Sequence, residues 1–313
     1  MKGYMRIAVS LLLLTALGMT LCSACDWHEK SDDPRPKIIA TTTILGDLAR
    51  NICGDKFQVS CLMGAGIDPH MYRASARDCI RLEEADIILC NGINLEGKME
   101  KVLKKTESAG KTVLSVEDAL DSEALIAVTS DGSIFDPHVW FDVKLWIRAA
   151  EYVSEGICSF DPDNADYYRV HTTEYLEKLY KLDDYIKSRA DEIPKEKRVL
   201  ITAHDAFSYF GRAYDFKIYG IQGISTNAEA GTQDISRLAN FIAEHEIGAV
   251  FLETSVSSKT VDALISAVKA RGATVKKGAL LYSDALGDAN SGADTYIKAL
   301  RSNVDAIVNA LKN

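Results

Sequence analysis

The sequence predicts an α/β protein built as two halves with parallel sheets, joined by one long helix. Short β-branched runs alternate with helical stretches from Lys37 onward. The same alternation restarts near Arg198, and an amphipathic segment of about 30 residues lies between the two. Strands that alternate with helices favour right-handed crossover units and hence parallel sheets.

In chain order, residues 38–42 read as a strand and 44–53 as a helix that stops at Gly54. A strand over 57–63, a helix over 77–84, a buried strand over 86–90, a helix over 97–105 and a strand over 112–116 complete the first half. Asp161-Pro162 opens the long helix, with proline at the first helical position, and Pro194 lies just past its end. Tyr168, Tyr175, Leu179, Leu182, Ile186 and Ala190 recur at three, four or seven as one apolar stripe. Glu174/Lys178, Glu177/Lys181 and Asp183/Lys187 place the acid four residues before the base, the better orientation. A rod of this length with a single stripe suits a helix running under both lobes. The second half reads as strand 198–203, helix 206–214, strand 216–221, helix 232–246, strand 249–253, helix 259–271, short strands at 274–277 and 280–282, and helix 294–311.

Two copies of one string, Asp68-Pro69-His70 and Asp136-Pro137-His138, occur in a chain with six histidines. A semi-buried imidazole needs an orienting partner, and the preceding Asp-Pro both fixes the backbone and brings a carboxylate, Asp68 or Asp136, close by. Two such rings suggest a shared metal ion. His204 directly follows a strand, where crossover folds place ligands, and Asp284 follows another. His70, His138, His204 and Asp284 thus come from four strand-following loops, two per half, and suit a divalent first-row ion such as Zn²⁺ or Mn²⁺. His28, His171 and His245 read as solvated surface groups.

The ends and the composition narrow the class further. Lys2, Arg6 and an apolar run from Ile7 to Leu21 read as an export signal over 1–24, and 25–36 as a polar tether. The apolar run is short for a membrane span. Cys25 after Ser23-Ala24 resembles a bacterial lipobox, with Leu21 one place too far upstream; plain cleavage after Ala24 is the alternative. Removing two basic residues takes the formal charge from −9 to −11, which disfavours nucleic acid and favours a cationic ligand. Beyond Cys22 and Cys25, the five remaining cysteines form no C-x-x-C pair; Cys53 and Cys61 read as small buried thiols, with a bridge from the helix end to the next strand as the alternative.

Four strings carry a wider resemblance: 62–72 (LMGAGIDPHMY), 135–142 (FDPHVWFD), 202–207 (TAHDAF) and 283–289 (SDALGDA). Together they make the chain similar to the TroA-like, or cluster A-I, metal-binding receptors of bacterial ABC importers. The resemblance spans the exported chain. It implies two four-stranded lobes (37–161 and 195–313) bridged by a helix over 162–194, with one metal ion held by His70, His138, His204 and Asp284. It also implies Glu253 as an acceptor behind a ligand imidazole. Implied partners are a membrane permease with its cytoplasmic ATPase, and the membrane through a lipid on Cys25. Implied too are a monomer, and location in the periplasm or on the outer face of the cytoplasmic membrane. Some manganese-selective members carry glutamate where this chain has His204, and zinc receptors usually insert a His-rich loop that residues 117–135 lack. Zn²⁺ and Mn²⁺ both stay open, with Fe²⁺ a third candidate. Asp284 binding through both oxygens would let the site accept either four or five ligand atoms. A zinc-dependent hydrolase is the rival reading, but no H-E-x-x-H or G-x-S-x-G string occurs. A surface adhesin is the other.

Overall fold

The first structural element is a strand because Lys37-Ile38-Ile39-Ala40 places apolar side chains on both faces of a sheet that is covered on both sides. The computed structural model describes residues 33–312. The signal segment 1–24, Cys25, His28 and most of the tether lie outside the described residues. In chain order the first half contains β1 (Lys37–Ala40), α1 (Thr43–Cys53), β2 (Gln58–Cys61), α2 (Ala76–Glu84), β3 (Ile87–Cys90), α3 (Glu100–Ser108), β4 (Thr112–Ser115) and α4 (Val143–Phe160). Then come α5 (Ala165–Ala190), β5 (Val199–His204), α6 (Ser208–Tyr214), β6 (Lys217–Gln222), α7 (Thr232–Glu244), β7 (Ala249–Glu253), α8 (Lys259–Lys269), β8 (Lys276–Leu281) and α9 (Tyr296–Leu311).

All strand pairings between these elements are parallel. The first sheet has the order β2-β1-β3-β4, so the chain reverses its direction of progress between β1 and β3. In the second half, β5 pairs with β6 and β7 with β8. β5 and β7 run side by side, but ladder hydrogen bonds among the described residues stay within the two pairs. Residues 274–277 and 280–282 do not form two short strands. Residues 276–281 instead make the single strand β8, whose pairing with β7 shifts register between Val250 and Leu252.

Alternation of side chains explains the layers. Ile38, Ala40, Ile87, Leu89, Leu200, Ala249 and Phe251 point to the large cluster that also takes in α1, α4, α5, α6 and α9. Their neighbours point the other way. Ile39 and Ile88 meet α2 and α3, while Val199, Ile201, Ala203 and Val250 meet α7 and α8. In each half the strands therefore lie between two helical layers, and the inner cluster is shared by both. Residues Pro36–Asn313 form one compact unit.

Helix α5 sits under that shared cluster. It contacts α1 and α4 on one side, and α6 and α9 on the other. The six stripe residues Tyr168, Tyr175, Leu179, Leu182, Ile186 and Ala190 are all buried. Its 26 residues span about 39 Å. The helix is shorter than 162–194: Pro162–Asn164 forms a separate 3-10 turn, and the helix ends at Ala190. Asp161 stabilises that turn by accepting from Asn164 Nδ2 at 2.9 Å and from the Tyr168 hydroxyl at 2.5 Å. Of the three acid-base pairs on α5, Asp183–Lys187 closes, at 2.5 Å.

Helix α4 is an addition to the elements read from sequence. Its signal is regular: Val143, Trp146, Ile147, Ala150, Val153 and Ile157 repeat at three and four, all are buried, and Asp142 caps the first turn by accepting from Lys144 N. Cys53 and Cys61 are free thiols, with Cys53 buried and Cys61 partly buried. Among the described residues, no helix is long and apolar enough to cross a membrane.

Candidate metal centre

The carboxyl ends of the strands of both halves converge on one buried point. His70 comes from the loop after β2, His138 from the long connection after β4, and Asp284 from the loop after β8. His204 is the last residue of β5 rather than the first of the following loop, and its register partner is Gln222. The backbone after it turns tightly over β6, where a Cβ on Gly220 would lie 2.4 Å from Asp205 N. Only glycine fits there, so Gly220 is part of how the His204 loop is placed.

Each Asp-Pro-His string folds into the same local turn. Asp68 Oδ1 accepts from His70 N at 2.8 Å, and Asp136 Oδ1 accepts from His138 N at 2.9 Å. Beyond the turn the two carboxylates diverge. Asp136 Oδ1 also lies 2.7 Å from His138 Nδ1, leaving Nε2 to face inward. Asp68 Oδ2 instead takes the Thr226 hydroxyl at 2.5 Å, across from the loop after β6. Neighbouring contacts hold the His138 segment from several sides. Asn91 Nδ2 donates to Pro137 O, the Tyr209 hydroxyl donates to Asp136 O, and Trp140 Nε1 donates to Ser283 O.

His204 is supported from β7. Glu253 Oε1 accepts from His204 N at 2.8 Å. Glu253 Oε2 lies 2.6 Å from His204 Nδ1, a close ion-pair contact that is not aligned as a hydrogen bond. Asp284 reaches both of the other sides of the cluster, with Oδ1 3.5 Å from His138 Nε2 and Oδ2 3.4 Å from His204 Nε2. His70 Nε2 and His138 Nε2 are 3.2 Å apart.

The four donor atoms all lie within 4.8 Å of one another, and all four residues are buried. Two ligands bound at about 2.1 Å at a tetrahedral angle are about 3.4 Å apart. The 3.2 Å between His70 and His138 Nε2, and the 3.4 and 3.5 Å from the two Asp284 oxygens to His204 and His138 Nε2, lie near that value, so the donors are placed around one ion. The polar inventory points the same way. His204 Nε2 and Asp284 Oδ1 are buried without a hydrogen-bond partner in the chain. Buried polar atoms in that condition are costly unless something cationic meets them.

Electrostatics divide the imidazoles. Burial pushes His70 down to about 3, helped by its His138 and His204 neighbours and opposed by Asp284. His70 is therefore a neutral ring with a lone pair to offer. Burial also opposes charge on His204, but Glu253 and Asp284 outweigh it and raise its pKa well above the usual value. Asp284 is held below the ordinary carboxylate range: burial opposes ionisation, and the facing His204, His138 and His70 overcome it. Burial raises Asp68, against the Thr226 hydrogen bond.

All seven residues singled out around this point from the sequence (His70, His138, His204, Asp284, Asp68, Asp136 and Glu253) lie at or directly behind it. His171 and His245 are elsewhere, each with Nδ1 on a carbonyl four residues earlier in its helix segment. Thr226 and Ser255 belong to the site and have no counterpart in the sequence reading. They are short polar residues in loops, and no spacing marks them.

A parallel α/β scaffold that closes three imidazoles and one carboxylate around one point defines a metal-receptor class, and the chain belongs to the family described as zinc-uptake complex component A, periplasmic, which matches residues 38–310. Among individual proteins, it is 41% identical to the manganese-binding lipoprotein MntA of Bacillus subtilis over 96% of this chain and 97% of that one. It is also 41% identical to the zinc-binding protein TroA of Treponema pallidum, over 95% and 96% of the two chains. The solved structure of the periplasmic zinc-binding protein TroA superposes with a TM-score of 0.85, covering 88% of this chain and 99% of that one at 41% identity. A manganese-bound periplasmic metal-binding protein from Candidatus Liberibacter asiaticus gives 0.78 at 27% identity, covering 88% and 100%.

Proposed function

We propose that this chain is the extracytoplasmic receptor of an ABC importer. In this reading it captures one Zn²⁺ or Mn²⁺ ion, with Fe²⁺ a third candidate, at His70, His138, His204 and Asp284. It then hands the ion to a membrane permease driven by a cytoplasmic ATPase. The carrying observation is the mutual spacing of four buried donor atoms, two drawn from each half. Residues 37–161 and 195–313 act as the two lobes and 162–194 as the bridge between them. Relatives described as metal-binding lipoproteins support both the cargo and a lipid anchor on Cys25, with the chain a monomer tethered by residues 26–36 outside the cytoplasm.

The metal is cargo, and the chain performs no reaction on it. A catalytic zinc keeps a position for water and a base beside it. Here Asp136 and Glu253 are both committed to holding imidazoles, which favours a receptor over a hydrolase. An adhesin reading predicts no metal dependence. Zinc binds the tighter of the two ions, following the usual order for nitrogen and oxygen sites.

Elemental analysis decides the central claim. Protein stripped with chelator and reloaded should hold one equivalent of Zn²⁺ or Mn²⁺, and His138→Ala should hold far less while keeping its circular dichroism. Stoichiometric metal in that variant would overturn the assignment. For the anchor, Cys25→Ala should move the protein from the detergent phase to the aqueous phase.

A further inference from the structure

The four ligand residues are sealed from solvent, His70 the least completely at 3% exposure, so an ion enters or leaves only when part of the enclosure moves. Solvent lies closest along the His70 loop, where Ile67 and Met71 are 41% and 45% exposed. Two segments of the second half reach across to the first half beside the ligands. The segment after β8 is tied down along its length. Ser283 O accepts from Trp140 Nε1, Leu286 N donates to Thr43 Oγ1, Tyr296 N donates to Asp47 Oδ2, and the Tyr296 hydroxyl donates to Trp140 O.

The loop after β6, residues 223–231, is held differently. Its other side-chain bonds stay on its own side: Gln222 Nε2 donates to Ala228 O, and Asn227 donates to Ser225 Oγ. Among the described residues, its one hydrogen bond to the first half is from the Thr226 hydroxyl to Asp68 Oδ2, at 2.5 Å. Asp68 Oδ1 meanwhile accepts from His70 N. A single carboxylate thus joins this loop to the backbone of a metal ligand.

We infer that Thr226 is a positioning residue whose bond to Asp68 clasps the 223–231 loop against the His70 loop and sets how fast the ion enters and leaves. Of the two segments that cross between the halves, this loop is the easier to open, because a single hydrogen bond holds it across. Entry and exit share that opening, so releasing the clasp speeds both. The clasp itself touches no ligand atom, and the affinity stays near its original value while the closed form still predominates. The inference rests on the metal-receptor reading and adds the residue that times it.

The test compares wild type, Thr226→Val and Thr226→Ser by stopped flow. Binding of Zn²⁺ to stripped protein is followed by the fluorescence of Trp140, whose ring centroid is 5.2 Å from that of His138. Release is followed by transfer of Zn²⁺ into excess chromophoric chelator, and equilibrium titration gives Kd. Thr226→Val should raise both rate constants by about tenfold, the order of one hydrogen bond to a charged group, with Kd little changed. Thr226→Ser keeps the hydroxyl and should keep the wild-type rates. Unchanged release from Thr226→Val overturns the inference. Faster release matched by an equally weakened Kd also overturns it, because Thr226 would then shape the bound site rather than time its opening. Thr226→Ser behaving like Thr226→Val would remove the hydroxyl from the account. The underlying reading fails separately, if wild type takes up no Zn²⁺ or Mn²⁺ at all.

Discussion

Removing the carboxylate behind His138 separates two kinds of support that the site combines. Asp136 is fully buried, and its Oδ1 serves both His138 N at 2.9 Å and Nδ1 at 2.7 Å. The second contact selects the tautomer that leaves Nε2 free for an ion. Partners of this kind are worth about 10- to 100-fold in metal affinity, or about 1.4–2.7 kcal/mol. Asp136→Asn retains an oxygen that accepts from both donors but loses the charge, so it should sit near the lower figure. Asp136→Ala loses both bonds and leaves a buried backbone N–H without an acceptor. It should reach the upper figure and also cost about 1–3 kcal/mol of stability. Chelator competition at neutral pH gives the affinities, and urea unfolding of stripped protein gives the stabilities. If Asp136→Ala binds zinc as tightly as wild type, either Nε2 of His138 is not a ligand or Asp136 does not orient it, and the account given for both Asp-Pro-His strings fails.

Other consequences follow from groups farther away. Asp47 is buried under the start of α9 and accepts from Tyr296 N at 3.0 Å; burial raises its pKa to about 6, against that bond and Arg50. A raised carboxylate pKa means stability is greatest while the group is protonated in both states and falls as pH rises from about 4 to about 6. Two units correspond to about 2.7 kcal/mol, so Asp47→Asn should stabilise by about 1–3 kcal/mol at pH 7.5 and by little at pH 4; an equal gain at both pH values would refute the titration. Leu179 is fully buried on the inner face of α5, and Leu179→Ala should cost about 2–5 kcal/mol in denaturant unfolding while leaving the metal stoichiometry of the folded protein unchanged. Because one continuous helix packs on both halves, stripped and metal-loaded protein should give nearly superimposable X-ray scattering curves. A change of several Å in radius of gyration would instead require a wide hinge motion.

How much of this was readable from the residues depends on how far each interaction reaches along the chain. The alternation of strands and helices is local, and so is the stripe on α5, whose six members are all buried. Helix α4 is equally periodic, and its signal is just as local. The second sheet is different, because whether β5 and β7 share ladder bonds depends on twist and packing rather than on either segment alone. The same rule holds within the site. At His138 the orienting carboxylate is two residues away, so the turn and the ring contact are both written into Asp136-Pro137-His138. At His204 the equivalent carboxylate, Glu253, is 49 residues away, and only the family resemblance pointed to it. Thr226, 158 residues from Asp68, and Ser255, 29 from Asp284, left no local trace at all. The repeat itself was a partial guide. Both strings make the same turn, but Asp136 backs its own histidine ring while Asp68 gives its second oxygen to Thr226. Identical sequence thus fixed the backbone of both ligand loops, and tertiary contacts alone decided what each carboxylate holds.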